Sequence, residues 1–64
     1  MQVHLPDGTE RTLGGGGATV SGVLLSLGIN PAAVIVSKDG RVIPEDTLLG
    51  SDDEIRVTRV SHGG

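Results

Sequence analysis

The residues with the clearest chemical potential are the final eight, Val57-Thr58-Arg59-Val60-Ser61-His62-Gly63-Gly64. A strand-like run gives way to a short polar step and then to two glycines carrying the terminal carboxylate. Glycine has no Cβ, so Gly63-Gly64 can lie extended in a slot that excludes every larger residue. A tail of this form suits an enzyme that must reach a carboxylate and activate it. The competing reading is a frayed or appended end, because chain termini are commonly disordered. The tail by itself leaves both readings open.

Other reactive groups are sparse. The chain has no cysteine, which removes disulfides, thiolate metal sites and thiol nucleophiles together. Asp52, Asp53 and Glu54 are adjacent carboxylates, and adjacent carboxylates seldom converge on one ion, so they read as a solvated acidic turn. Gly14, Gly15, Gly16 and Gly17 form the one low-complexity stretch. A phosphate cradle fails there on spacing: no Gly-Lys-Ser/Thr follows, and a dinucleotide fingerprint would need glycine where Thr19 or Val20 stands. The stretch reads instead as a flexible connector. His4 alternates with Val3 and Leu5 and reads as an outward strand residue. No catalytic residue, metal site or resident cofactor is assigned, because no triad or ligand cluster is present.

A chain of 64 residues makes one domain with a marginal core. Its folding free energy should be roughly 3–10 kcal/mol. Without Phe, Tyr or Trp, that core must be built from Leu, Val and Ile. The net charge is −3, with only Arg11, Lys38, Arg41, Arg56 and Arg59 as cations. This balance argues against nucleic-acid binding, which needs a basic face or stacking aromatics. No apolar run reaches membrane-spanning length, and the first residues lack the basic-then-apolar pattern of a signal peptide. Small secreted domains usually lean on disulfides, so a cytoplasmic setting is expected.

The elements that must position the tail follow from periodicity. Val3 and Leu5 alternate with polar neighbours as in a half-buried strand, Pro6-Asp7-Gly8 turns, and residues 9–13 return as a polar edge strand. Thr19 is a fitting helix N-cap. Val20, Val23, Leu24 and Leu27 then fall on one helical stripe that ends at Gly28, before Asn30-Pro31. Ala33-Val34-Ile35-Val36-Ser37 is apolar on both parities, which predicts a strand covered on much of both faces. Lys38-Asp39-Gly40 turns it into a short return strand that Pro44 ends. Leu48 and Leu49 are expected to tuck in as a helical turn or loop, and residues 54–60 form the last strand with Ile55 and Val57 on one parity. Hairpin, helix, hairpin, connector and strand predict an α+β domain with one helix packed across a mixed sheet.

This ordered set resembles the ubiquitin-like β-grasp sulfur carriers and the small archaeal ubiquitin-like modifiers, over nearly the whole chain. The residues that carry it are Ala18-Thr19-Val20, Leu24, Leu25, Leu27 and Gly28. Asn30-Pro31, Val34-Ile35-Val36, Asp39-Gly40 and Val42-Ile43-Pro44-Glu45-Asp46-Thr47-Leu48 continue it, and Asp52-Asp53-Glu54-Ile55 with the terminal Gly63-Gly64 completes it. Residues 14–17 depart from the pattern by their glycine content. The resemblance implies a β-grasp domain over residues 1–60, with a mixed sheet of four to five strands, and a flexible tail over residues 61–64.

It further implies that a ubiquitin-activating-type enzyme adenylates the Gly64 carboxylate with ATP. A sulfur donor then makes a thiocarboxylate for a sulfur-accepting enzyme, in tRNA thiolation or molybdopterin or thiamine synthesis, or a lysine of a target protein takes the acyl group. The chain itself would be no enzyme. Val60, Ser61 and His62 would lie where the partner grips the tail, although Val60 equally suits ordinary packing and His62 reads as a polar spacer rather than a base. Lys38, the only lysine, reads as a solubilising turn residue with an ordinary pKa of about 10.4. Its second reading is an acceptor for self-linked chains. The rival function is a non-covalent β-grasp interaction module whose terminal glycines are incidental.

Overall fold

The structure is a computed structural model that describes residues 1–60. Strand β1 (Gln2–His4) and strand β2 (Glu10–Thr12) form an antiparallel hairpin. Its turn is closed by Asp7, whose Oδ1 accepts from the Thr9 amide at 3.0 Å and from the Thr9 hydroxyl at 2.6 Å. All of β2 is exposed, as its polar sequence requires of an edge strand.

The glycine stretch is more than a flexible connector. Gly15 and Gly17 adopt φ of 85° and 87°, which side chains rarely tolerate, and the Gly17 amide donates to the Leu49 carbonyl at 2.8 Å. The stretch delivers the chain to β3 (Ala18–Thr19), which pairs antiparallel with β6 (Leu48–Leu49). This pairing corrects the expectation that both leucines tuck in as a helical turn or loop. Successive side chains on a strand point to opposite faces, so Leu49 is 2% exposed and Leu48 is 69% exposed.

Helix α1 (Val20–Ser26) starts where the Thr19 hydroxyl accepts from the Gly22 amide at 3.1 Å. The apolar stripe buries Val20, Val23 and Leu24, with Leu27 half-buried just beyond. The helix ends in a Schellman motif. Gly28 turns left-handed at φ 75°, its amide reaching the Leu25 carbonyl at 3.0 Å while the Ile29 amide reaches that of Leu24 at 2.9 Å. Asn30 then caps a 3₁₀ turn, Pro31–Ala33, so Ala33 belongs to this turn rather than to the following strand.

Strands β4 (Val34–Lys38) and β5 (Arg41–Ile43) form the second hairpin. Asp39 and Gly40 have φ of 52° and 77°, the paired left-handed residues of a type I′ turn. Strand β7 (Glu54–Arg59) inserts between the hairpins, parallel to β1 and antiparallel to β4. The five-stranded order is β2-β1-β7-β4-β5. Val3, Val36, Leu49, Ile55 and Val57 pack against Val20, Val23 and Leu24 of the helix to form the buried core. With a helix on one face only, β4 is not covered on both sides: Val36 is buried and Ile35 is 42% exposed. The architecture is the α+β ubiquitin-like β-grasp. Among the described residues no helix is long and apolar enough to cross a membrane.

Candidate functional site

Strand β7 occupies the middle of the sheet and ends at Arg59, one residue before the last described residue, Val60. Arg59 pairs with Val34 at the end of the ladder, and the Val60 amide donates to the Ala33 carbonyl at 3.1 Å. Val60 is half-buried, so the 3₁₀ turn holds the chain in place at the residue just past β7. Ser61, His62, Gly63 and Gly64, to which activation and gripping were assigned, lie outside the described residues.

The sheet face opposite the helix is defined by register. Glu10, His4, Arg56, Ser37 and Val42 form one transverse row across all five strands, and Ile35 lies beside Thr58 in the next row. The row runs from charged to apolar. On the charged side, His4 Nε2 lies 2.5 Å from Glu54 Oε2 and Nδ1 lies 3.7 Å from Glu10 Oε2. His4 thus ties β2 and β7 across β1 as an outward residue. On the apolar side, Val42 is 71% exposed, and at the β4–β5 edge it and Ile35 border an open recess that runs round to the helix side, where Val20, Leu24 and Pro31 line it. Sequence reasoning missed this open edge. Counting the parity of Ile35 against Val34 and Val36, with one helix to cover the sheet, would have found it.

Lys38 differs from its expected role as a free turn residue. It is the last residue of β4 and shares the strand parity of buried Val36, so it sits on the helix side of the sheet. Its Nζ lies 2.7 Å from Asp53 Oδ1. The ammonium's pKa is raised above the ordinary lysine value, chiefly by the hydrogen bond and charge of Asp53, with Asp39 adding to it. The Asp53 carboxyl is held below its usual range by Lys38 first and by the Gly50 amide, which donates to Oδ2 at 2.6 Å. The acidic turn is therefore partly structural: Asp53 clamps the loop before β7 to the end of β4. Among the described residues no group of carboxylates and histidines is arranged to hold a metal ion.

Two comparisons bear on this arrangement. An uncharacterized protein of Archaeoglobus fulgidus is 44% identical over 48 residues, covering 75% of this chain and 70% of that protein. Over residues 2–61 the chain matches the family described as small archaeal modifier protein 2. That span takes in every strand, the helix and the first residue past Val60. The β-grasp sheet, its central β7 and the match along almost the full length agree, and the chain belongs to the small archaeal modifier protein 2 family.

Proposed function

We propose that this modifier works through the carboxylate of Gly64. An activating enzyme of the ubiquitin-activating type directs that carboxylate at the α-phosphorus of ATP, and pyrophosphate leaves. The acyl-adenylate then has a good leaving group, which a free carboxylate lacks. Sulfide delivered by a sulfur donor displaces AMP to give a thiocarboxylate directly. If the donor attacks as a protein persulfide, AMP leaves with formation of an acyl disulfide. A thiol of the donor then cleaves its S–S bond, releasing the thiocarboxylate and leaving the donor as a disulfide. Alternatively a target lysine amine displaces AMP, loses a proton and forms an isopeptide bond. Both branches use the same acyl-adenylate, so the protein serves as sulfur carrier, as protein modifier, or as both.

The observation that carries the reading is the family match on a fold whose central strand leads directly to the tail. Its chemistry supports it further. Two glycines place no Cβ beside the reacting carbonyl, where a displacement of about 1 Å can cost a hundredfold in rate. Catalysis belongs to the partner, and this chain contributes the carboxylate, its reach and a docking surface. The partial apolar edge of the sheet, Ile35 and Val42, suits such docking.

Intact-mass measurement tests the proposal. Purified protein, whose mass also reads the end of the chain at Gly64, is incubated with its activating enzyme, ATP and a sulfur donor. A gain equal to the replacement of one oxygen by sulfur is expected, with isopeptide adducts when target proteins are added. An unchanged mass together with no ATP–pyrophosphate exchange overturns it.

A further inference from the structure

Lys38 is the chain's only lysine, and therefore the one side chain through which copies of this protein can be linked by isopeptide bonds. For such a link, its ammonium must first release a proton. The free amine then attacks the acyl-adenylate carbonyl of a second copy's Gly64, the new C–N bond forms, AMP leaves, and the nitrogen gives up a second proton to become the amide. Every step needs Nζ free of its neighbours. This reasoning rests on the function proposed above.

The surroundings of Lys38 oppose release. Nζ meets Asp53 Oδ1 at 2.7 Å, and Asp53 is unusually well fixed for a surface carboxylate. Its amide donates to the Gly50 carbonyl at 3.2 Å, and its own carbonyl accepts from the Gln2 amide at 3.0 Å. Its second carboxylate oxygen accepts from the Gly50 amide at 2.6 Å. Most exposed ion pairs gain little because both long side chains must be immobilised. Here the acid is already immobilised by the backbone of β1 and of the 50–53 turn, so only the lysine loses freedom. The strand parity of Lys38 directs its stem to the helix side of the sheet, away from the open face that carries Ile35 and Val42. The charged groups around it are Asp53, Asp39 of its own turn, Arg41 opposite it in the hairpin register, and the Met1 ammonium near Asp53.

We infer that Asp53 guards Lys38, so that the lone lysine is a protected acceptor and copies of this modifier do not readily link to one another. The guard opens when Asp53 is displaced, for instance by a partner that engages the 50–53 turn. The protein then modifies targets singly unless such a partner is present.

Chemical acylation tests the guard without any activating enzyme. Wild type, Asp53→Asn and Asp39→Asn are treated with limiting N-hydroxysuccinimidyl acetate, with Nα-acetyl-lysine as competitor in the same tube, and Lys38 acetylation is read by peptide mass spectrometry. Asparagine retains an oxygen for the Gly50 amide while removing the charge. Lys38 of the wild type should react about two- to fivefold more slowly than the competitor, and D53N should restore parity. D39N should change little. Circular dichroism shows whether D53N is folded. If it is not, wild type in about 1 M salt decides, because screening of an exposed pair should raise Lys38 reactivity towards that of the competitor. Lys38 labelling as fast as the competitor in the wild type, unaltered by D53N or by salt, overturns the guard. That outcome leaves the proposed activation of Gly64 untouched, just as failed pyrophosphate exchange would leave the acylation result standing.

Discussion

Gly16 lies so close to Ser51 that a Cβ on it would stand 2.8 Å from the Ser51 backbone nitrogen and within 3.3 Å of the Gly50 Cα. The obstruction is backbone, which cannot rotate aside as a side-chain tip can. Gly16→Ala should therefore destabilise the fold by about 1–3 kcal/mol, the usual cost of forcing atoms into a packed site. Gly14→Ala, which meets nothing within 4 Å, is the control and should be nearly neutral. Thermal melts followed by circular dichroism compare the two, and equal melting temperatures would show that the contact is dispensable.

Leu24 is the most buried leucine of the helix stripe at 1% exposure, whereas Leu25 beside it is 64% exposed. Leu24→Ala should cost about 2–5 kcal/mol through lost burial and the cavity left behind. That is a large share of what so small a domain possesses. Leu25→Ala should stay within about 0.5 kcal/mol. Urea titrations of both variants check the contrast, and a shared midpoint would contradict the assigned core.

The Lys38–Asp53 pair fixes the sign of the pH dependence. Asp53 has a pKa lowered from 3.8 by Lys38 and the Gly50 amide, so its contribution is complete above 3.8 and disappears as pH falls through the lowered value. Lys38 has a pKa raised from 10.5 by Asp53, so its contribution is complete below 10.5 and disappears as pH rises through the raised value. Asp7, held down by the Thr9 hydroxyl and then by its amide, adds to the acid side alone. Melting temperatures should form a plateau between these limits. D53N should flatten the alkaline decline while retaining the Asp7 part of the acid decline. An alkaline limb identical in both proteins would refute the assignment.

Removing Gly63-Gly64 should leave the melting temperature unchanged, because among the described residues the buried core runs from Val3 to Val57 and ends before Val60. ATP–pyrophosphate exchange with the activating enzyme should be abolished. A truncated protein that exchanges pyrophosphate as well as the full chain would move the activated group elsewhere.

Much of this architecture is legible in one dimension. Thr19, the Val20-Val23-Leu24 stripe and Gly28 mark the helix because capping, period and left-handed termination are all local. Asp39-Gly40 marks a hairpin for the same reason. What escaped were relations set by distant pairing. Leu48 and Leu49 look equally apolar, and only the β3–β6 pairing decides that one is buried and the other exposed. Ile35 looks buried until the sheet is seen to have a helix on one face alone. Gly16 looks like a linker until Ser51 comes up behind it. Lys38 looks like an ordinary turn lysine, because nothing local announces an aspartate fifteen positions away as its partner. The tail was proposed from its composition, and its glycines lie beyond the described residues.

The central place of β7 also governs how the molecule is made. β1 and β4 do not pair with each other, and each finds a neighbour in the sheet interior only through residues 54–59. During synthesis, residues 1–53 can form two separate hairpins and a short helix, but isolated hairpins are marginal in water and a seven-residue helix is below the length that sustains itself. The sheet must therefore close late, in a single cooperative event dominated by contacts distant along the chain, which makes closure slow for so small a domain. A copy that fails to insert β7 has no five-stranded sheet, and Val60 is not held against Ala33. The place where the chain leaves the sheet, at Val60, is in this sense set only once folding has finished.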